Sequence, residues 1–174
     1  KNKSKIKRQM MRVRVLAFGE VMMRCSVPNK KKLFQSNTLE YMFSGTGLNV
    51  MGQLKKFGIE TELLTKLPEN PLGEAAISHI ESLGIKTNKI SKGGEFIGIY
   101  FLEEGFGKRA SVVTYTDRRG SSFCKSKLKD YDFDEILKDV KMLHLCGISL
   151  AMNEAVREIM IALAKKAKEI GVLV

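Results

Sequence analysis

Two tyrosines and an arginine draw attention within residues 95–123, a segment rich in aromatic and β-branched residues: Tyr100, Tyr115 and Arg118. An arginine guanidinium can bind a carboxylate through two parallel N–H bonds, and a tyrosine hydroxyl can bind a carbonyl or hydroxyl oxygen. Together these groups suit the recognition of a small acidic sugar. A structural interpretation also stays open, in which the tyrosines favour strand structure and the arginine is a solvated charge at the rim.

A glycine-rich turn, Ser44–Gly47, provides a second candidate site. Gly45 and Gly47 would let a ligand approach the backbone closely, and the helix predicted to follow would offer free N–H groups. The turn lacks the third glycine of a dinucleotide-binding fingerprint, and the chain contains no Gly-x-x-x-x-Gly-Lys-[Ser/Thr] phosphate loop. Asn49, in the first turn of that helix, is either a ligand contact or a local partner of the backbone.

Apolar runs of strand length alternate with segments of helical period along most of the chain. Strands are predicted at Val13–Gly19, Thr61–Leu67 and Met142–Cys146, and helices at Leu48–Phe57, Gly73–Leu83 and Asn153–Ile170. The alternation predicts an α/β fold, with a parallel sheet flanked by helices. Ligands of such sheets bind at the carboxyl ends of the strands, and here those ends include Gly19–Glu20 and the turn before Asn49.

Residues 95–123 interrupt this pattern with glycine-rich breaks and no helical period. Phe96–Glu103 and Ala110–Asp117 are predicted to pair as a hairpin. Thr38–Phe43 also alternates like a strand. These segments predict an antiparallel sheet that would carry Tyr100 and Tyr115 over the edge of the parallel sheet.

The net charge of +11 is concentrated at the start of the chain. Residues 1–14 contain seven basic side chains and no acidic one, and the rest of the chain has a net charge of +4. We expect residues 1–12 to be a disordered or non-native basic leader. A nucleic-acid-binding arm is the alternative, but the segment lacks interleaved aromatic residues, so no nucleic-acid partner is predicted.

The three cysteines, Cys25, Cys124 and Cys146, are far apart and form no metal-binding spacing with the two histidines. No run approaches the ~18 apolar residues of a membrane helix, and no secretory signal is recognisable. The sequence therefore predicts a cytoplasmic protein without a structural metal site or a membrane partner.

Several short motifs occur in a characteristic order from Val13 to Val174. They are Phe18–Met22, Ser44–Val50, Thr65–Gly73, Gly98–Glu103, Asp117–Phe123 and Leu145–Ser149. In this order and spacing the chain resembles the PfkB, or ribokinase-like, carbohydrate kinases, and within them the 2-keto-3-deoxygluconate kinases.

The resemblance implies a Rossmann-like core with an antiparallel β-sheet lid, formed by strands at about 38–43 and 95–123, that also forms a homodimer contact. It implies ATP-dependent, Mg²⁺-assisted phosphorylation of a sugar hydroxyl, in which an aspartate accepts the hydroxyl proton. The implied substrate is a small sugar acid, most specifically 2-keto-3-deoxygluconate.

The resemblance also assigns positions in the sugar pocket. Gly45 and Asn49 would contact the sugar acid, Tyr100 its keto end, and Arg118 its carboxylate. Tyr115 would line the same pocket, but a register set by Arg118 would place Thr116 there instead, and a one-residue slip turns a strand side chain to the opposite face.

The catalytic Gly-Ala-Gly-Asp motif of these kinases does not occur in the chain. We therefore interpret residues 13–174 as the N-terminal part of a truncated kinase domain, with the catalytic aspartate beyond Val174. No catalytic residue is placed in this chain, and the fragment alone is not expected to bind ATP or Mg²⁺. The alternative is a catalytically inactive module that binds a sugar acid and dimerises.

Overall fold

The computed structural model describes residues 14–174, which contain eight strands, five α-helices and four short 3-10 helices. The strands are β1 (Arg14–Phe18), β2 (Met22–Ser26), β3 (Glu40–Ser44), β4 (Glu60–Leu67), β5 (Ile90–Lys92), β6 (Gly98–Glu103), β7 (Val112–Tyr115) and β8 (Met142–Leu145). The helices are α1 (Thr46–Lys56), α2 (Pro71–Ser82), α3 (Phe133–Leu137), α4 (Gly147–Leu150) and α5 (Glu154–Glu169). The predicted leader at residues 1–12 lies outside the described residues.

One sheet is parallel and has the strand order β5-β4-β1-β8. Its central strand β1 is an uninterrupted apolar run, and Leu16, Ala17 and Phe18 are fully buried because helices cover both faces of the sheet. This architecture confirms the predicted fold class. The three-residue edge strand β5 was not predicted, since Ile-Ser-Lys carries no recognisable strand pattern.

The two faces of β1 belong to different parts of the core, because successive strand side chains point to opposite faces. Val15 and Ala17 pack in the cluster that contains Leu48 of α1 and Ile80 of α2. Leu16 and Phe18 pack in the other cluster, which includes residues of α3 and α5. The long helix α5 begins at the predicted cap, where the Asn153 side chain accepts a hydrogen bond from the backbone N–H of Val156.

The second sheet has the strand order β3-β2-β6-β7, and we call it the lid. β2–β3 and β6–β7 pair in antiparallel fashion, whereas β2–β6 is a parallel pair. The lid is therefore mixed rather than purely antiparallel as predicted. The difference comes from β2, whose sequence Met-Met-Arg-Cys-Ser has no clear strand pattern and was not predicted.

The segment 95–123 contains two kinds of structure. Its hairpin, β6 and β7, belongs to the lid, but the chain then turns at Arg118–Gly120 and re-enters the core. Phe123 is buried there, with its ring centroid 5.2 Å from that of Phe18. No helix in residues 14–174 combines the length and apolarity needed to cross a membrane.

Candidate functional site

A cavity of about 380 Å³ lies where the carboxyl end of β1 and the start of α1 face the lid. All five residues predicted for the sugar pocket line it: Gly45, Asn49, Tyr100, Tyr115 and Arg118. They are up to 73 positions apart in the sequence. The fold thus brings together residues from the glycine turn, from α1, from both hairpin strands and from the turn after the hairpin.

Gly45 sits where the chain passes from the lid strand β3 to helix α1. Its φ of 177° is ordinary extended backbone, so conformation does not require glycine here. Space does, because a Cβ at this position would overlap the backbone carbonyl oxygen of Glu20. The close approach of two backbone segments brings the first turn of α1 against the carboxyl end of β1 and forms the floor of the cavity.

Asn49 lies in the first turn of α1 with an exposed side chain. Its backbone N–H donates to the carbonyl oxygen of Gly45 at 2.8 Å, as expected for the start of a helix. Within residues 14–174 its side chain makes no hydrogen bond, so the amide that lines the cavity keeps its donor and acceptor for a ligand.

Tyr100 and Tyr115 are paired residues on β6 and β7, and their ring centroids are 5.7 Å apart. The hydroxyl of Tyr100 lies 3.1 Å from the Ser44 hydroxyl, which fixes the Tyr100 side chain at the cavity wall. The strand register puts Tyr115, not Thr116, on the cavity side. Thr116 instead uses its hydroxyl to donate to the backbone carbonyl oxygen of Ile99 at 3.0 Å.

Arg118 is held by a carboxylate that is almost completely buried. Its Nε donates to Oε2 of Glu20 at 2.7 Å, and the Ser121 hydroxyl donates to Oε1 of Glu20 at 3.1 Å. The guanidinium also lies near the ring of Tyr115, with Cζ 5.2 Å from the ring centroid. In the described part of the chain the Nη atoms of Arg118 have no hydrogen-bond partner, so they remain for a ligand.

Burial raises the pKa of Glu20 above its usual value, because an ionised carboxylate loses hydration in the protein interior. The charge of Arg118 and the hydrogen bonds from Arg118 and Ser121 act in the opposite direction and offset part of this shift. The ion pair with Arg118 therefore favours the charged form of Glu20 against the effect of burial.

The sequence predicts only that Glu20 lies at the carboxyl end of a strand, where ligands of parallel sheets bind, and predicts no contact for its side chain. Glu20 is the one acidic residue lining the cavity within residues 14–174, and it contacts Arg118 from a position 98 residues earlier. The sequence did show an acidic residue directly after a buried strand and a glycine. Its pairing with Arg118, however, depends on tertiary structure. The apolar part of the wall was also missed; it is formed by Met22, Val113, Ile148 and Met152.

The arrangement is suited to binding a polar, negatively charged small molecule. A volume near 380 Å³ is within the range of about 300–1,000 Å³ that ligand pockets have. Because Glu20 is engaged by Arg118, it is not available to remove a proton from a ligand. Residues 14–174 also contain no group of three His, Cys, Asp or Glu side chains that could hold a metal ion.

A parallel sheet with helices on both faces, joined to a four-stranded lid beside a cavity, defines a class of α/β proteins in which a lid sheet borders the ligand site. Residues 13–174 match the description pfkB family carbohydrate kinase. The chain belongs to the pfkB family of carbohydrate kinases.

Individual relatives agree with this assignment. The chain is 39% identical to the crystal structure of a 2-dehydro-3-deoxygluconokinase from Thermotoga maritima, with a TM-score of 0.89 over 92% of this chain and 49% of that one. A candidate 2-keto-3-deoxygluconate kinase from Enterococcus faecalis is 43% identical, with a TM-score of 0.88 over 90% of this chain and 46% of that one. A 2-dehydro-3-deoxygalactonokinase from Haloferax volcanii is 27% identical over 92% of this chain and 50% of its own length. The chain thus spans about half the length of these relatives.

Proposed function

We propose that the protein containing this chain phosphorylates a sugar acid, with 2-keto-3-deoxygluconate as the preferred substrate and ATP with Mg²⁺ as the phosphoryl donor. The observation that carries the proposal is the placement of Arg118 in the cavity, with its Nε bound by Glu20 and its Nη atoms directed to no protein partner among residues 14–174. A guanidinium that is held at Nε and has both Nη atoms free can bind a carboxylate through two hydrogen bonds.

The rest of the cavity supports an open-chain or cyclic keto acid as the ligand. Tyr100 and Tyr115 offer hydroxyl groups beside Arg118, and these can bind the keto oxygen next to the carboxylate. Gly45 and Asn49 lie on the floor, where backbone and amide groups can bind sugar hydroxyls. A neutral sugar would leave the Nη edge of Arg118 without a carboxylate partner, because Glu20 occupies only Nε.

The relatives narrow the substrate class. The Thermotoga maritima and Haloferax volcanii proteins are named for phosphorylating 2-dehydro-3-deoxy sugar acids, of the gluconate and galactonate series respectively. Both substrates carry the carboxylate and the keto group that Arg118 and the tyrosines would recognise. The two sugars differ in the configuration of a hydroxyl group, for which Asn49 is the candidate contact.

The described residues suit the sugar rather than the phosphoryl donor. They contain no cluster of metal-binding side chains, and the cavity offers no free carboxylate to accept a proton. We therefore derive no step of phosphoryl transfer from this chain. We also propose that the catalytic aspartate lies outside residues 14–174 and that the protein is cytoplasmic.

The direct experiment uses protein expressed from the complete reading frame. Turnover in the presence of ATP and Mg²⁺ would be measured with 2-keto-3-deoxygluconate, 2-keto-3-deoxygalactonate, fructose and ribose. We expect the highest kcat/KM with a keto sugar acid. Higher kcat/KM with fructose or ribose would reject the acidic substrate, and calorimetric binding of the sugar acid without turnover would instead support the inactive binding module.

We also propose that the lid is a homodimer contact. Its edge strands leave large apolar side chains exposed, including Tyr41 on β3 (64%) and Val112 on β7 (50%). Exposed edge strands with apolar side chains are typical interaction surfaces, and a second lid offers the same surface. Light scattering should report a dimer that Tyr41→Glu converts to monomer, whereas Phe57→Glu, at an exposed residue after α1, leaves it unchanged. A monomeric unmodified protein would reject this proposal.

A further inference from the structure

Glu20 lies between the two ends of the proposed sugar site. Its backbone carbonyl oxygen abuts Gly45, and its carboxylate binds Arg118. We infer that Glu20 is a positioning residue, which orients the Arg118 guanidinium so that its Nη edge meets the substrate carboxylate. This inference rests on the proposed function, because it concerns how the same site selects a charged sugar.

The first support is the geometry of the ion pair. Glu20 is bound by Arg118 through Nε, at 2.7 Å, rather than through the terminal nitrogens. A bond at Nε fixes the plane of the guanidinium and leaves both Nη atoms for a second, bidentate partner. The Tyr115 ring, 5.2 Å from Cζ, restricts the same plane from its face. Ser121 holds the other carboxylate oxygen, so Glu20 itself cannot rotate freely.

The second support is the space made for the carboxylate at Gly98. A Cβ on Gly98 would lie 2.8 Å from Oε1 of Glu20, which is closer than side-chain atoms tolerate. Gly98 does not have the left-handed backbone that would otherwise explain a glycine. It begins β6 and pairs with Met22 on β2, and it is not among the residues that line the cavity. A Cβ there would also lie 3.2 Å from Cε of Met22, a cavity residue, so a substitution at Gly98 tests the Glu20 carboxylate through its bond to Arg118 rather than through KM alone.

A buried ion pair can also be purely structural, because removing one partner of any such pair leaves an uncompensated charge. The two roles differ in what a substitution changes. A structural role predicts lower stability with unchanged substrate recognition in the protein that still folds. A positioning role predicts weaker binding of the sugar acid with little change in kcat.

The kinetic test compares Glu20→Gln with Glu62→Gln in protein from the complete reading frame. Glu62 is a matched control, because it is 2% exposed, lies on β4 and does not line the cavity. We expect Glu20→Gln to raise KM for 2-keto-3-deoxygluconate about ten- to hundredfold, as for a lost charged hydrogen bond, with kcat changed less than about threefold. Glu62→Gln should leave KM within about twofold. An unchanged KM in Glu20→Gln, or a fall in kcat alone, would overturn the inference.

A second measurement needs no substrate and covers the case in which Glu20→Gln does not fold. The Nε–H resonance of Arg118, assigned by its loss in Arg118→Lys, should be slow to exchange with solvent in the unmodified protein. Gly98→Ala should make this resonance exchange rapidly, because the added methyl group displaces the Glu20 carboxylate, and should raise KM in the same direction as Glu20→Gln. Rapid exchange in the unmodified protein would contradict the inference.

The outcomes separate this inference from the proposed function. If the unmodified protein turns over no sugar acid, the proposed function fails and the substrate role of Glu20 fails with it. If the unmodified protein turns over 2-keto-3-deoxygluconate and Glu20→Gln does so with the same KM, only the positioning role fails.

Discussion

The parallel sheet and the lid have the same number of strands but differ in how far their side chains are buried. In the parallel sheet, β1 is buried on both faces and its side chains are shared between two apolar clusters. The lid has four strands as well, yet Tyr41, Val112 and Tyr115 remain exposed on its edge strands. We therefore expect the parallel sheet to dominate stability, whereas the lid supplies both tyrosines of the cavity, Tyr100 and Tyr115. Substitutions in the two regions should separate these contributions.

The largest effect on stability is expected in the core. Leu163 on α5 is fully buried in the cluster beneath β1. Leu163→Ala should lower the free energy of unfolding by about 3 kcal/mol, because it removes apolar contacts and leaves a cavity. Below its melting temperature the variant should keep the KM for the sugar acid. Chemical denaturation with steady-state kinetics would check both points, and a raised KM would show that the core also shapes the pocket.

Substitution of Arg118 should instead change ligand binding much more than stability. Arg118→Met preserves much of the side-chain length but removes the charge, so we expect affinity for 2-keto-3-deoxygluconate to fall by about 2–3 kcal/mol, or roughly 30- to 150-fold. The pKa of Glu20 should rise further, because burial persists without the opposing charge. Titration calorimetry at several pH values would measure the loss. Unchanged affinity would show that the substrate carboxylate is bound by a residue other than Arg118.

Tyr100 should contribute less, because it offers a neutral hydrogen bond. Tyr100→Phe removes the hydroxyl that contacts Ser44 and faces the cavity. We expect about 1 kcal/mol of lost affinity, or roughly fivefold, with little change in unfolding free energy. Tyr41→Phe is the matched control, since Tyr41 lies on the lid but does not line the cavity. An equal loss in both variants would point to the lid as a whole rather than to the Tyr100 hydroxyl.

The smallest expected effects concern the pH dependence of stability, which should have opposite signs for Asp130, beside the parallel sheet, and Glu20, where the chain crosses to the lid. The hydrogen bond from Lys66 lowers the pKa of Asp130 below its usual value. Asp130 thus stabilises the fold above the pKa it has when unfolded, and this contribution is lost as pH falls through its lowered folded pKa. Because both groups are partly exposed, Asp130→Asn should cost no more than about 1 kcal/mol at neutral pH.

Glu20 has a raised pKa, so the sign is reversed. Glu20 contributes most to the free energy of unfolding below the usual glutamate pKa. This contribution is lost as pH rises through the raised pKa of the folded protein. In the unmodified protein Glu20 makes the unfolding free energy fall as pH rises, and Glu20→Gln should remove that fall. Asp130 makes the unfolding free energy rise with pH, and Asp130→Asn should remove that rise. Urea denaturation between about pH 3 and pH 7 would measure both slopes. Slopes of the same sign would contradict the environments described for the two carboxyl groups.

The sequence predicted the parallel sheet well because its elements are marked locally. The apolar run of β1 and the Asn153 cap of α5 need no distant information. β2 could not be predicted, since its place between β3 and β6 comes from pairing with both neighbours. The same limit explains the site. Five lining residues followed from motifs, but the Glu20–Arg118 pair depends on a contact between the end of β1 and the turn after the hairpin.

The chain passes between the two sheets four times, near Glu20, Gly45, Gly98 and Arg118. All four crossings lie at or beside the cavity, so we expect any rotation of the lid to pivot at the recognition site. A rotation of the lid about this pivot would sweep its far end, near the exposed Phe106, through a long arc while displacing the Glu20–Arg118 pair very little. Opening and closing of the lid would then admit or release a ligand while the Glu20–Arg118 pair that binds its carboxylate keeps its geometry.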